Sequence, residues 1–454
     1  MSLKQKIISA SIWILLGYTL SQLIRLASGF IISRLLSPEI FGLMAIVYVI
    51  IVAIALMTDV GLTLSVMKSK NTDDPNYLNT IWSVQIVKGV VIFVITIFFS
   101  VGFYIFNEIG VLPKNTAYAN PLLPFIILAL SLNALIAAFD PTWVMLAAKN
   151  MQQALITKIE IISQISCALV SILWAWFDKS PWAIVVGMIV GTLSKSLLSH
   201  YYNSANKNKW YIDKKFLYEI LHFGKWIFLT TLIGFYAING DRVILGAYVD
   251  EVTLGLYAIA YMFYSLVFTI HEKLVGSVIY PALASSYEQG TERLNLNYKK
   301  FRLYSDAGLM LLAGMFYAAA QLIINILYDD RYQAAGNILQ ILAVAIIAMR
   351  YRVTEQYFLV INKPYLGTVI TTVKAIALIL LIPTLFHRYG FDGAVWGVVI
   401  STFVSAPVML YFKYKHQILD IKYELITLPL LVLGWALGYI CVWLVEYLIR
   451  LFAV

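Results

Sequence analysis

The chain has 454 residues, of which 61% are hydrophobic and only 13% charged, and its mean hydropathy is +0.82. A soluble protein must cover its surface with polar side chains, so this composition excludes a water-soluble enzyme. The net charge of +9 does not indicate a nucleic-acid partner, because the lysines and arginines fall in short gaps between apolar runs, where they suit lipid headgroups. Cys167 and Cys441 both lie in apolar runs and predict neither a disulfide framework nor a metal site.

Apolar segments long enough to cross a hydrocarbon core of ~30 Å fill the chain from end to end. The pattern predicts thirteen spans, at roughly 9–32, 41–65, 79–105, 122–147, 152–176, 181–202, 223–248, 253–282, 305–328, 336–361, 364–386, 391–412 and 424–450. Gly434 and Gly438 interrupt the last one, which is either a long tilted helix or a tight hairpin. No signal-peptidase-like site follows the charged start, so we expect the first span to be uncleaved.

The lysines and arginines of the short loops predict the orientation. Seventeen of them fall in the gaps on one side and five in the gaps on the other, which places the N-terminus in the cytoplasm. The connection at 203–222 mixes basic with aromatic residues and is either an anchor that joins two halves or an interfacial helix.

The chain also resembles itself at an offset of about 214 residues. The segment Phe41–Tyr48 matches Leu254–Tyr261, and further matches on nearly the same diagonal are Lys149 with Lys363, Asp178 with Asp392 and Trp182 with Trp396. Six spans per repeat is an even number, so the halves share one orientation, as in the parallel repeats of secondary transporters. A duplicated scaffold without a transport role is the alternative.

We therefore predict an all-α polytopic membrane protein with two parallel-repeat six-helix lobes around a central cavity, plus one or two C-terminal helices. The expected bounds are 1–205 for the N-terminal lobe, 206–222 for a cytoplasmic linker, 223–415 for the C-terminal lobe and 416–454 for the extra segment.

Several kinds of chemistry are missing from the sequence. There is no Gly-x-x-x-x-Gly-Lys-Ser/Thr loop for ATP and no Gly-x-Ser-x-Gly nucleophile motif. The five histidines are scattered without metal-ligand spacing, and the outer loop at about 106–121 is too short for a catalytic domain. We expect no metal, no cofactor and no enzymatic activity; a membrane glycan polymerase or ligase is the remote alternative.

Ionisable residues within the spans are expensive in hydrocarbon, so we expect them to face the bundle interior or a water-filled cavity. Basic residues there suit an anion, and the planar fork of arginine matches phosphate oxygens. The basic residues predicted to bind an anionic headgroup are Arg25, Lys88, Arg242, Arg350, Arg352 and Lys374. The candidates for ion coupling are Asp59, Asp140 and Glu160, while Asp241, Glu272 and Glu355 accompany the basic residues.

Each charge has a structural alternative. Arg352 and Glu355 are three residues apart and could simply pair, and Arg242 could equally be structural. Lys195 and Lys225 are close enough to the interface to snorkel. The abundant aromatic rings could stack on sugars or meet an isoprenoid tail, although interfacial belts are their commoner role.

Four segments resemble signatures of Wzx-type polysaccharide flippases, the polysaccharide-transport branch of the multidrug/oligosaccharidyl-lipid/polysaccharide exporter superfamily. They are Ser33–Leu43, Asn239–Gly246 followed by Leu254–Tyr257, Tyr280–Leu283, and Tyr328–Tyr332 before Ile338–Leu342. The likeness runs in order from about residue 5 to 412. Members of that family commonly have twelve or fourteen spans, which differs from the thirteen counted here.

The resemblance implies export of an undecaprenyl-diphosphate-linked oligosaccharide from the inner to the outer leaflet of the bacterial inner membrane. It also implies alternating access driven by an ion gradient or membrane potential, for assembly of O-antigen, capsule or exopolysaccharide, in which polysaccharide polymerase machinery is a further partner. Efflux of organic cations on the same superfold is the alternative, and it would predict a cavity dominated by carboxylates.

Overall fold

A computed structural model of the chain describes residues 3–57, 61–69, 71–113, 115–150, 152–202 and 208–452, with side chains from residue 16 onward except at 57, 148, 221–230, 449 and 452. The chain divides into two compact units, Met1–Phe235 and Tyr236–Val454. The described residues form helices and connecting turns and contain no β-strand.

The first unit is built from eight helices and the first part of a ninth. They are α1 (Leu3–Leu35), α2 (Pro38–Met57), α3 (Leu62–Lys68), α4 (Pro75–Glu108), α5 (Leu123–Ala138), α6 (Trp143–Lys149), α7 (Gln153–Phe177), α8 (Trp182–Tyr201) and α9 (Lys214–Leu245). Local sequence fixes where several of them begin. At α4, for example, the Asp74 side chain accepts a hydrogen bond from the Asn76 amide, and Pro75 occupies the first helical position, where no amide hydrogen is needed.

The second unit begins in α9 and continues through eight more helices. They are α10 (Glu251–Leu274), α11 (Tyr280–Glu288), α12 (Thr291–Leu327), α13 (Ala335–Ala345), α14 (Arg352–Val360), α15 (Tyr365–Lys415), α16 (Ile421–Leu425) and α17 (Pro429–Phe452). A π-helical turn at Val275–Ile279 joins α10 to α11, and a 3₁₀ stretch at Ile346–Tyr351 joins α13 to α14. Gly390, with φ 66° and ψ −153°, breaks α15 into two helical parts.

The helix bounds reproduce the sequence repeat. Helix α2 begins at Pro38 and α10 at Glu251, which is 213 residues later. Helix α4 begins at Pro75 and α12 at Thr291, which is 216 residues later. The break between α7 and α8 at 178–181 corresponds in the same way to the break at Gly390 within α15. The two halves of the chain therefore fold with the same order of long, short and broken helices.

Nine helices of the described residues are long and apolar enough to cross a membrane. All thirteen predicted segments overlap helices, and the difference in number has local causes. Helix α5 has only 16 residues, the two parts of α15 run on as one element, and α1 and α9 include residues whose side chains lie outside the described set. The last predicted segment is a single helix, α17, and not a hairpin.

Small residues let pairs of helices approach closely. A Cβ added at Gly434 would lie 2.3 Å from the carbonyl oxygen of Leu311, and one added at Gly438 would lie 2.9 Å from that of Met315. The two glycines, four residues apart, therefore form the face of α17 that packs on α12. The same spacing at Gly187 and Gly191 brings α8 against α7. These glycines join helices and do not end them.

The connection before α9 is not helical over residues 208–213, while residues 203–207 lie outside the described set. The Ser83 hydroxyl of α4 donates to the Tyr211 carbonyl and accepts from the Tyr211 amide, both at 3.0 Å. The Asp213 amide donates to the Thr80 hydroxyl at 3.1 Å. Hydrogen bonds to α4 therefore hold the non-helical backbone before α9, whereas residues 214–222 are helical as the start of α9, and an interfacial helix in the predicted linker stays a prediction.

Candidate functional site

One face of α10 in the second unit carries an aromatic stripe. Its members, spaced four, three and four residues apart so that they share a helix face, are Tyr257, Tyr261, Tyr264 and Phe268. Their ring centroids follow one another at 5.8, 5.4 and 6.5 Å. The helix begins at a side-chain cap, since the Asp250 carboxylate accepts a hydrogen bond from the Thr253 amide at 2.8 Å.

The stripe ends at Glu272, which lies four residues beyond Phe268 and pairs with Arg352 of α14. The Arg352 Nε donates to Glu272 Oε1, and its Nη2 donates to Glu272 Oε2 at 2.7 Å. The Arg352 Nη1 donates to Glu355 on the same helix. Arg352 and Glu355 do pair, with Glu272 as a second, bidentate partner of Arg352, and substrate contact by Arg352 stays a prediction.

The other end of the stripe receives a second arginine from α9. The guanidinium carbon of Arg242 lies 3.8 Å from the centre of the Tyr261 ring, a cation–π distance, and its Nη1 donates to Asn239 at 3.0 Å. The neighbouring Asp241 is buried and accepts a hydrogen bond from the Tyr257 hydroxyl. Asp241 and Arg242 therefore have different partners, as their adjacency on a helix requires.

Lys374 of α15 connects the two ends electrostatically. It interacts with Asp241 at one end and with Arg352 and Glu355 at the other. Tyr264, in the middle of the stripe, likewise interacts with both Asp241 and Arg352. Together, Arg242, Arg352, Lys374 and the aromatic stripe form what we call the α10 site. Three of the six predicted basic residues meet there, drawn from three helices.

The α10 site is close to electrically neutral. Its three cations are matched by three carboxylates, Asp241, Glu272 and Glu355. An anionic ligand therefore finds cations that already have partners. The α10 site is therefore not a purely positive site of the kind that the distribution of arginine and lysine alone predicts.

Two helical irregularities lie beside the ion pairs that Arg352 makes with Glu272 and Glu355. The π-helical turn begins three residues after Glu272, and the 3₁₀ stretch ends at the residue before Arg352. Irregular turns of these kinds inside longer helices often occur at functional positions, because they change which way the following side chains point.

Arg350, although only two residues from Arg352, belongs to a different cluster. Its guanidinium donates twice to Asp306, at 3.1 and 2.8 Å, and once to the Glu424 carbonyl at 3.0 Å. Glu424 of α16 also pairs with Arg302 and Lys413. This cluster, which we call the α16 cluster, is buried, with Arg350 only 5% exposed. Its pairing supports a structural role for Arg350, and substrate contact there stays a prediction.

In the first unit, Asp140 and Glu160 come together at Lys195 of α8. The Lys195 ammonium lies 4.0 Å from the Glu160 carboxylate, with both side chains close to half exposed. Lys195 also interacts with Asp140, as do Ser196 and His200 of the same helix. Lys195 therefore has one carboxylate, Glu160, at ion-pair distance and a second, Asp140, near enough to interact electrostatically.

Arg25, Lys88 and Asp59 are the remaining predicted residues. Arg25 on α1 is exposed and Lys88 on α4 is partly buried. Asp59 lies outside the described residues. Within the described part of the chain, no three His, Cys, Asp or Glu side chains are grouped as metal ligands.

Sequence reasoning missed the aromatic stripe and the α16 cluster. The stripe has a signal that could have found it, since the spacing of Tyr257, Tyr261, Tyr264 and Phe268 is that of one helix face. The α16 cluster has no comparable signal, because Arg302 and Glu424 are 122 residues apart.

Comparison with known proteins decides the family. Residues 31–336, more than half of the chain, match the family described as polysaccharide biosynthesis protein. The chain belongs to this family. The lipopolysaccharide biosynthesis protein WzxC of Escherichia coli (strain K12) is 21% identical over 471 residues, covering 97% of this chain and 89% of the relative. A putative O-antigen transporter of Shigella flexneri is 23% identical over 425 residues, covering 90% and 98%. The resemblance to Wzx-type flippases is therefore confirmed.

Solved structures show the same fold. The lipid II flippase MurJ, in an inward closed conformation, superposes with a TM-score of 0.71 at 15% identity, covering 95% of this chain and 92% of that one. An inward-facing multidrug resistance MATE family transporter of the MOP superfamily gives 0.68 at 16% identity, covering 87% and 94%. The prediction of an all-α polytopic membrane protein is confirmed, and this family member is a multi-pass membrane protein.

Proposed function

We propose that this protein is a flippase that moves a lipid-linked oligosaccharide, carried on undecaprenyl diphosphate, across the inner membrane by alternating access. The α10 site is the observation that carries the proposal. It combines guanidinium groups, which suit phosphate oxygens, with partly exposed aromatic rings, which suit sugar faces, inside a helical unit. The kinship with a putative O-antigen transporter and the fold shared with a lipid II flippase support the same substrate class.

Each part of the α10 site has a role in this proposal. Arg352 binds the diphosphate through its planar fork, and Lys374 and, farther along the stripe, Arg242 add positive charge. The rings of Tyr261 and Phe268 contact the first sugars. The isoprenoid tail stays in the bilayer, where no polar group has to be desolvated.

Secondary roles fall to the other predicted residues. Arg25, Lys88 and Arg350 remain candidates for contact with the glycan or its diphosphate. The Asp140, Glu160 and Lys195 group is a candidate for ion coupling, because uptake of a proton or a cation by either carboxylate changes the electrostatic surroundings of Lys195. Asp59 remains a coupling candidate from sequence alone.

The proposal includes the surroundings of the protein. It places the N-terminus in the cytoplasm, because the basic residues are concentrated in the loops on that side. The two halves, expected at 1–205 and 223–415, act as the lobes of the transporter. The product is consumed by polysaccharide polymerase machinery that makes O-antigen, capsule or exopolysaccharide, and the surrounding partners are membrane lipids.

Proteoliposomes test the proposal directly. We expect wild-type protein to expose a fluorescent undecaprenyl-diphosphate oligosaccharide to an impermeant glycosidase, and Arg352→Ala and Lys374→Ala to reduce this exposure by at least tenfold. Arg331→Ala is the matched control, because Arg331 pairs with Asp329 in an exposed turn and is not a member of the α10 site. Equal activity in Arg352→Ala and Arg331→Ala would remove the α10 site from the mechanism.

The same vesicles test the efflux alternative. The shared MATE fold does not distinguish the two functions, since the identity is only 16%. If wild-type vesicles move no glycan but extrude an organic cation such as ethidium, the flippase proposal fails and the carboxylates of the α10 site become the ligand groups.

A further inference from the structure

We propose that the Glu272 carboxylate competes with the ligand for Arg352. It occupies the guanidinium nitrogens that would bind phosphate until a diphosphate displaces it. This inference rests on the proposed function, and it adds a specificity-determining residue to it. Glu272 would then decide which anions the α10 site accepts.

The geometry of the Glu272–Arg352 ion pair supports this role. Both oxygens of the Glu272 carboxylate face two nitrogens of Arg352, Nε and Nη2. This parallel, two-point arrangement is the one that a phosphate group makes with arginine. The Glu272 carboxylate therefore occupies the position that a phosphate of the ligand would need.

Glu272 is also the partner that is able to leave. Glu355 is three residues from Arg352 on the same helix, so it stays near the guanidinium whatever the ligand does. Glu272 comes from a different helix, α10, and lies next to a π-helical turn. Its side chain is 29% exposed, compared with 16% for Glu355. A ligand therefore reaches the Glu272 side of the fork more easily.

Displacement would select for charge. A ligand must offer two oxygens and enough negative charge to replace a carboxylate that is already bound. A diphosphate presents oxygens on two phosphate groups, more than a monophosphate does, and is the better competitor, while an uncharged sugar is no competitor. In this way Glu272 would exclude the monophosphate form of the carrier lipid without any contact to its sugars or tail.

Binding measurements on the full chain in nanodiscs test the inference. The probes are geranylgeranyl diphosphate and geranylgeranyl monophosphate, which have the same tail and differ in one phosphate. We expect Glu272→Gln to bind the diphosphate roughly tenfold more tightly than wild type, because a neutral amide is a weaker competitor for a charged donor. The preference for diphosphate over monophosphate should shrink in the same variant.

Glu355→Gln is the matched control. It removes one negative charge that pairs with the same arginine, so an effect of net charge alone would tighten binding equally in both variants. Displacement predicts a larger effect for Glu272→Gln. Glu272→Asp, which keeps the charge but shortens its reach, should lie between wild type and Glu272→Gln, and it replaces Glu272→Gln if that variant does not fold.

Three results would overturn the inference: unchanged affinity in folded Glu272→Gln and Glu272→Asp, equal tightening in Glu355→Gln, or no binding of the diphosphate by any form. The vesicle assay separates this from the proposed function. If wild type moves glycan but Glu272→Gln does not bind the diphosphate more tightly, only the role of Glu272 is rejected. If Glu272→Gln binds the diphosphate more tightly but wild type moves no glycan, only the flippase function is rejected.

Discussion

The α16 cluster gives a prediction in which the number of uncompensated buried charges determines how much a substitution lowers the free energy of unfolding. The cluster contains three cations, Arg302, Arg350 and Lys413, and two carboxylates, Asp306 and Glu424. The Asp306 side chain is only 1% exposed and lies 2.8 Å from Arg350 and 3.4 Å from Arg302. Asp306→Asn would therefore leave three buried cations facing one carboxylate. Breaking a buried pair in this way costs about 3–5 kcal/mol of the free energy of unfolding.

Arg350→Met should cost less, although it removes three hydrogen bonds. It leaves two cations and two carboxylates, so no charge stays uncompensated, and we expect a loss of about 1–3 kcal/mol. Asp329→Asn is the exposed control: it removes an ion pair of 2.6 Å from a surface turn, which is worth about 0–1 kcal/mol. The order Asp306→Asn, Arg350→Met, Asp329→Asn should appear in thermal unfolding in detergent and in titration with sodium dodecyl sulfate.

Two outcomes would refute this reasoning. If Arg350→Met destabilises the protein as much as Asp306→Asn, the charge balance of the α16 cluster does not determine its stability. If Arg350→Met unfolds like wild type but no longer moves glycan, Arg350 contacts the substrate and is not structural.

Three further predictions test other parts of the structure. Gly434→Ala should lower stability by about 1–3 kcal/mol because the added Cβ meets backbone at 2.3 Å, whereas Gly102→Ala, with open space around it, should not; equal melting points would remove the glycine face from α17 packing. Tyr261→Ala should reduce glycan movement severalfold while Tyr261→Phe keeps it, since the ring and not the hydroxyl faces a guanidinium; a loss of activity in both would point to the hydroxyl instead. Asp140→Asn should change the dependence of transport on an imposed ion gradient more than Glu160→Gln does, because Glu160 is about half exposed; the reverse order would exclude Asp140 as the coupling group.

The sequence by itself determined the helical architecture. A run of about 20 apolar residues has to satisfy its backbone hydrogen bonds internally in a membrane, so the length of the runs is enough to predict helices. The repeat was also visible in the sequence, since it depends on the order of residues within each half. The family resemblance came from the same local patterns, such as Ser33–Leu43.

Only the tertiary structure decided which charges meet. Arg350 and Arg352 are two residues apart in sequence, yet one pairs with a carboxylate 44 residues away and the other with one 80 residues away. Two residues apart on a helix means opposite directions, and the sequence does not state what each direction faces. Long-range partners depend on how helices pack, so the separation of the α10 site from the α16 cluster follows from packing and not from any local motif.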